Sequence, residues 1–491
     1  MTIHAQSIHL DTTPGGTLQH RIKRRVVDGI LSGEFQRGER MPSSRALARH
    51  LGVSRITVTF AYTDLVADDY LVARGRSGYF ISQTAPVAPS FDLKPPTDAN
   101  RVDWTRHLAR RVQDHAGIDR PRHWQNYKYP FVYGQADPTL FDHRNWRQCA
   151  LQALGQRDFD SLTMDHYERD DPQLIEYIRR NILPRRGISA APENILITMG
   201  AQNAIWLCAQ LLLTQRRRAA IETPGYPGLR QILDQTRCKT VRIDVDDQGL
   251  PPDRLPEDID VLFTTVSHQC PTNATMPMSR RKELLRLAQE REFIIVEDDY
   301  EFELAFQTAP SPALKSMDDA GNVIYVGSFS KSLFPGLRLG FLVAPTVFAQ
   351  EARKLRTTVL RHPPGHIQRT AAYFLSLGHY DAQINRMQKA YQRRRKAMIA
   401  AIEEHELTPA GPAETGGSCF WMRAPEGIDT RDLAQRLYAR SVVIEPGEAF
   451  YDPATAPRHF YRLAYSSIDA DRIAPGISIL ADEIARSVFR K

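Results

Sequence analysis

The first apolar pattern in the chain has a period of four. Leu18, Ile22, Val26 and Ile30 form one stripe with Lys23, Arg24 and Arg25 off it, which predicts an amphipathic helix of about fifteen residues ending near Gly33. Ser43, after Met41-Pro42, is placed to cap a second helix over residues 45–51 that is buried through Leu47 and Leu51 and broken at Gly52. Ser54 caps a third helix to about residue 68, with Val58, Ala61, Tyr62 and Leu65 at helical spacing. Two short helices around a glycine turn predict a helix-turn-helix. The pattern then changes to β-prone runs at 70–73 and 78–81, separated by Arg74-Gly75-Arg76-Ser77, as in a hairpin wing with a basic tip. Residues 83–125, with Pro86, Pro89, Pro95 and Pro96, lose apolar periodicity and read as a linker, apart from a helix near 104–112 whose Arg106, Arg110 and Arg111 fit a solvated face more readily than one lying on DNA or on a neighbouring domain. From about residue 127, short apolar runs at 194–198, 261–265, 293–296 and 323–326 alternate with helical stretches such as 279–290. Buried strands alternating with helices predict a mostly parallel sheet covered on both faces. The expected organisation is a winged helix-turn-helix at 14–82, a linker at 83–125, and at 126–491 a large α/β domain with a small C-terminal α+β lobe.

Composition narrows the class. The 491 residues, 42% hydrophobic and 25% charged, allow two or three domains, and no apolar run approaches the roughly 20 residues that cross a bilayer. The N-terminus carries no basic region followed by an apolar stretch, so a cytoplasmic, membrane-free protein is expected. Cys149, Cys208, Cys238, Cys270 and Cys419 are odd in number and scattered, which argues against a disulfide framework and against a metal site. The net charge of +7 is uneven: residues 1–84 hold eleven Lys/Arg and seven Asp/Glu, so over half of the excess lies in the head. A basic head on a near-neutral body suggests nucleic-acid contact, while charge alone fits a solvated basic helix equally well; with the helix-turn-helix and wing the expected partner is double-stranded DNA. Arg55, Thr57 and Thr59 would meet base edges or phosphates while Arg45 and Arg76 hold the backbone; Ser43, Ser54, Tyr62 and Gly78 complete the candidate set.

In parallel sheets ligands sit at the carboxyl ends of the strands, so those residues carry the candidate chemistry. Gly200-Ala201-Gln202 opens a helix whose N–H groups suit a phosphate. Asp298 and Tyr300 follow another strand, and Ser328, Ser330, Lys331 and then Arg338 follow a third. Together they meet the needs of pyridoxal 5′-phosphate: a lysine for the aldehyde, a carboxylate for the ring nitrogen, a phenol for the ring oxygen, and hydroxyls with an arginine for the phosphate. Tyr226 is placed either to stack on the ring or to pack a turn.

The order Pro42-Ser43-Ser44-Arg45, Leu47-Ala48, Leu51-Gly52-Val53-Ser54-Arg55, Thr57-Val58, Ala61-Tyr62, Leu65 and Gly78-Tyr79-Phe80 resembles the GntR-type winged helix-turn-helix of bacterial regulators, with Ile56 where an Asn is common. Residues 126–491 resemble fold-type I aminotransferases, through Pro184-Arg185-Arg186-Gly187, Ser267-His268-Gln269-Cys270-Pro271-Thr272, Glu297-Asp298-Asp299-Tyr300, Gly327-Ser328-Phe329-Ser330-Lys331 and Arg462-Leu463. The whole chain resembles the MocR/GabR family. That resemblance implies a homodimeric, DNA-binding transcriptional regulator that senses an amine or amino-acid-like effector through external aldimine formation at Lys331, with at most residual transaminase activity. It places His268 near the cofactor ring and gives Arg462 the anionic group of the effector, where the residues alone also allow a structural ion pair. The alternatives are a working aminotransferase with an accessory DNA-binding module, and a sensor of pyridoxal phosphate itself. Effectors implied by the resemblance include γ-aminobutyrate, taurine and diamino acids derived from ectoine; Gly228, where some relatives carry a second arginine, argues against the first. Cys270 replaces the Asn common before that proline in transaminases, Asn273 replaces the usual glycine, and residues 166–172 lack the glycine expected there, so the residue that reaches the partner's phosphate is not identified.

Overall fold

The computed structural model describes residues 2–10, 16–86, 102–108, 117–118, 120–135, 137–304, 311–412 and 417–489. The chain divides into two units, residues 1–112 and 113–491.

In the first unit the two predicted caps, Ser43 and Ser54, form, and Thr17 adds a third. Thr17 Oγ1 accepts from His20 N ahead of the helix Leu18–Leu31, Ser43 Oγ from Ala46 N (3.1 Å) ahead of Ser44–Leu51, and Ser54 Oγ from Thr57 N (3.1 Å) ahead of Arg55–Ala67. Each cap satisfies a backbone N–H that the first helical turn leaves open. The strands Leu71–Ala73 and Tyr79–Ile81 pair antiparallel, Leu71 opposite Ile81, around the turn Gly75–Ser77. Ile22, Val26, Ile30, Leu47, Val58, Leu65, Leu71 and Ile81 are buried in one core, at roughly 1.5–3 kcal/mol of transfer free energy each. Ile3 and Ile8, ahead of the periodic pattern, join it, and Arg40 bridges Thr2 on one side and Phe80 on the other. Of the helix expected near 104–112 the structure describes Trp104–His107, and residues 109–112 lie outside the described residues.

The second unit is built on a seven-stranded sheet in the order Ile195–Thr198, Gly340–Val343, Val323–Ser328, Ile294–Asp299, Val261–Thr264, Arg218–Thr223, Lys239–Asp244. Gly340–Val343 runs antiparallel to both neighbours and the other pairings are parallel. Strand alternation feeds two cores: Val296 packs on one face with Leu207 and Cys208 of the helix Ala201–Leu212, and Ile295 on the other with Leu284 and Leu287 of the helix Met278–Glu290. A separate four-stranded antiparallel sheet, containing Cys419–Arg423, Phe460–Ala464 and Glu445–Pro446, packs with the helices His379–Glu404, Thr430–Tyr438 and Ala470–Phe489 as the small lobe. Among the described residues no helix is long and apolar enough to cross a membrane, and no His/Cys/Asp/Glu group is arranged to hold a metal ion.

Candidate functional site

A cavity of about 350 Å³ opens at the carboxyl ends of Ile294–Asp299 and Val323–Ser328. Its wall brings together Ala201, Gln202, Tyr226, Asp298, Tyr300, Ser328, Ser330, Lys331 and Arg338. Nine residues from four separate sequence segments thus converge on one volume.

Alternation along one strand explains why Asp298, of three successive carboxylates, faces this cavity. Glu297 and Asp299 point to the other face and are satisfied there: Glu297 accepts from Leu314 N and Lys315 N at 2.8 and 2.9 Å, and Asp299 Oδ2 accepts from Arg186 Nε at 2.6 Å and Tyr325 OH at 2.8 Å. Asp298 Oδ1 is buried with no hydrogen-bond partner. Burial, then the neighbouring charges of Asp299 and Glu222, pushes its carboxyl up to about 7. An unpartnered buried carboxylate is costly in an isolated protein and fits a site built to meet a cationic ring nitrogen.

Lys331 lies just beyond Val323–Ser328, its Nζ 3.5 Å from Gly134 O and 4.4 Å from the centre of the Tyr133 ring. Burial holds its amine below the ordinary lysine range, favouring the neutral, nucleophilic form. Gly134 has φ +71°, and a Cβ there would stand 2.0 Å from Lys331 Nζ, so the amine occupies space that only glycine leaves open. The helix Ala201–Leu212 starts at Gly200 with no side-chain cap, Arg338 Nη2 donates to Met199 O at 3.1 Å, and Ser328 Oγ accepts from Ser330 N at 3.2 Å. A helix start, two hydroxyls and a guanidinium make a cradle for a phosphate. Tyr226 reaches the cavity with its ring folded over Gly228, where a Cβ would lie 2.6 Å from the phenol. Gly228 therefore has a packing role of its own.

Two of the expected residues, His268 and Arg462, are not among those that line the cavity. His268 is not on the cavity wall: its Nε2 is buried without a hydrogen-bond partner, 3.8 Å from Glu301 Oε2. The intervening Gln269 is drawn into a buried network with Glu222 and Pro224 O, and the next residue, Cys270, takes the wall. Arg462 is buried and already paired, its Nε donating to Glu445 Oε2 at 2.9 Å while its guanidinium packs over Tyr133 (4.0 Å) and Phe450 (4.7 Å).

In the head, Arg45, Arg55 and Arg76 are exposed and Thr57, Thr59 and Gly78 partly so. The oxygens of Ser43 and Ser54 serve as caps. Tyr62 is corrected: it is fully buried, donates to Pro42 O at 3.0 Å and packs edge-on against Tyr79, which removes it from any DNA-facing surface.

The model of bacterial regulatory proteins of the gntR family matches residues 18–81, and that of class I and II aminotransferases matches residues 136–478. Across 482 residues, 98% of this chain and 99% of the relative, the sequence is 58% identical to the HTH-type transcriptional regulator TauR of Rhodobacter capsulatus. The chain belongs to the MocR/GabR family of transcriptional regulators. Within it, the probable rhizopine catabolism regulatory protein MocR of Rhizobium meliloti is 28% identical over 96% of this chain and 94% of its own. The aminotransferase-like part of this MocR/GabR regulator is similar to Pyrococcus horikoshii kynurenine aminotransferase, solved in complex with PMP, with a TM-score of 0.67 and 29% identity over 73% of this chain and 91% of that one.

Sequence reasoning about this MocR/GabR chain missed Arg120, Tyr133, Gly134 and Gln135, all on the cavity wall. Arg120 falls inside the stretch read as linker, and its Nη1 lies 4.0 Å from Glu445 Oε1. Only the backbone path from residue 117 onward brings it there, so no local signal marks it. Gly134 stands in a run with no strand or helix periodicity for the same reason.

Proposed function

We propose that this transcriptional regulator holds pyridoxal 5′-phosphate in the cavity and that a small amine bearing an anionic group, bound at the same place, changes its grip on an operator. The observation that carries the reading is Asp298, whose Oδ1 is buried without a hydrogen-bond partner and which shares one cavity with Lys331. When bound, the cofactor supplies an aldehyde that exchanges one primary amine for another. Lys331 offers the resident amine; Asp298 faces the ring nitrogen; Tyr300 reaches the ring oxygen; Tyr226 covers a ring face; Ala201, Gln202, Ser328, Ser330 and Arg338 take the phosphate. For the amine's anionic end, Arg120 stands on the wall, and Arg462 is reached once Glu445 gives way. An effector shifts the regulator only through a difference in its affinity for two states, and release of Glu445 from Arg462 provides such a difference. We assign the DNA-binding head to 14–82, the linker to 83–125 and the effector part to 126–491, acting as a cytoplasmic homodimer on repeated half-sites. Cys270 on the wall and Glu445 on Arg462 support sensing over turnover.

The test is spectral. The purified protein is expected to carry a visible absorbance band that Lys331→Ala removes, and an effector amine is expected to shift the band and operator affinity at matching concentrations. An unchanged spectrum in Lys331→Ala would remove the cofactor assignment. Steady release of a keto acid or aldehyde at enzymatic rates would replace sensing by transamination.

A further inference from the structure

The helix Arg55–Ala67 presents an unusual outward face. Its inner face, Val58, Ala61, Tyr62 and Leu65, is buried. At 100° per residue the line opposite runs through Ile56 and Phe60, and these two large apolar side chains are 66% and 56% exposed. The polar groups beside them are committed within the helix. Ser54 Oγ and Thr57 Oγ1 lie 2.7 Å apart, Thr59 Oγ1 donates to Arg55 O at 2.9 Å, and Thr63 Oγ1 to Thr59 O at 3.0 Å. Beside the Arg55 guanidinium and the exposed Thr63, Ile56 and Phe60 are the large side chains on the outward line of this helix.

The surroundings say what covers it. Residues 43–63 contain no acidic side chain, while Arg45, Arg49, Arg55 and, on the wing, Arg76 are exposed around the same module. Arg55 Nε donates to Ser44 Oγ at 3.4 Å, which holds its guanidinium between the second and third helices. An apolar line framed by guanidiniums without counter-charges suits a surface with anionic edges and apolar spots at its floor. A DNA major groove has both, because each A·T pair presents the thymine 5-methyl there and only apolar groups recognise it.

We infer that Ile56 and Phe60 are specificity-determining residues of the DNA-binding head, selecting operator thymines through their 5-methyl groups. The inference rests on the head's role as a DNA-binding module. It assigns the arginines to affinity and the apolar pair to sequence choice.

Deoxyuridine differs from thymidine only by that methyl, so it gives the test. An operator is selected from random duplexes with the full chain, and each thymine of a half-site is replaced singly by deoxyuridine. At one or more positions wild type is expected to lose about fourfold in affinity, the worth of one buried methyl. Ile56→Ala or Phe60→Ala is expected to bind the thymine operator about fourfold more weakly and to bind thymine and uracil versions equally. Both side chains are exposed, so the fold is retained, which circular dichroism checks. Arg55→Ala is expected to weaken both operators alike and to keep the discrimination. Operator binding with no methyl dependence at any thymine, or discrimination that survives both alanine variants, overturns the inference and leaves DNA binding intact. Failure of the full chain to select any duplex overturns both.

Discussion

Asp298→Asn is expected to move stability and cofactor retention in opposite directions. Glu297 and Asp299 have partners on their side of the sheet, whereas Asp298 Oδ1 has none, and burial pushes its carboxyl from the ordinary 3.8 up to about 7. A carboxyl raised in the folded state contributes its full stability below the unfolded pKa and loses it as pH rises through the folded one. The window is therefore about pH 4 to 7, and over it the carboxyl costs the cofactor-free protein about 4 kcal/mol at most. Part of the residue opens to the cavity, and solvent screening reduces this to about 2 kcal/mol. Asparagine has the same shape and no charge to desolvate. Cofactor-free Asp298→Asn is thus expected to melt about 2–4 °C above cofactor-free wild type at pH 8, with the gap closing toward pH 4. The same variant is expected to lose the visible band on gel filtration, since its amide does not neutralise a ring cation. Paired melting curves across that pH range, with absorbance spectra before and after filtration, measure both effects. A variant that melts below wild type at pH 8, or a gap independent of pH, would falsify the view of Asp298 as a carboxylate waiting for a partner.

Other substitutions separate the remaining roles. Arg55→Ala is expected to weaken operator binding and to lower the slope of log affinity against log salt by about one, with the absorbance spectrum unchanged; an unaltered slope would take Arg55 off the phosphates. Tyr62→Phe removes the bond to Pro42 O and is expected to cost the head about 1 kcal/mol in urea unfolding while leaving DNA affinity of the folded protein untouched. A large loss of affinity at full folding would return Tyr62 to the DNA surface. Glu445→Gln leaves the buried Arg462 guanidinium without its counter-ion and is expected to cost about 3 kcal/mol, and a carboxylate- or sulfonate-bearing amine should raise its melting temperature more than it raises that of wild type. Equal gains in both proteins would place the anion elsewhere, with Arg120 the nearest alternative on the wall.

What could be read from the chain and what could not divide along a physical line. Ser43 and Ser54 were legible because a cap is a local bargain between one side chain and a backbone N–H three residues on. Lys331, Asp298 and Tyr300 were legible because a parallel sheet places its chemistry at strand ends, and a strand end is visible as the close of an apolar run. Tyr62 shows two local signals in conflict: it belongs to a motif that touches DNA, yet it stands in the Val58, Ala61, Leu65 stripe, and the stripe decides because that face is the one buried. His268 and Cys270 sit in a loop without periodicity, so which of them faces the cavity depends on where Gln269 finds its partners. The Arg462 and Glu445 pair joins neighbouring strands of the small lobe, with Arg462 directly opposite Glu445, and no spacing rule within one segment reveals such a register. Arg120 is the extreme case, since its segment carries no pattern and its place on the wall follows only from the path of the chain. The features hidden from the sequence, the Arg120 position and the Glu445 partner of Arg462, are therefore the ones built from contacts between segments distant along the chain.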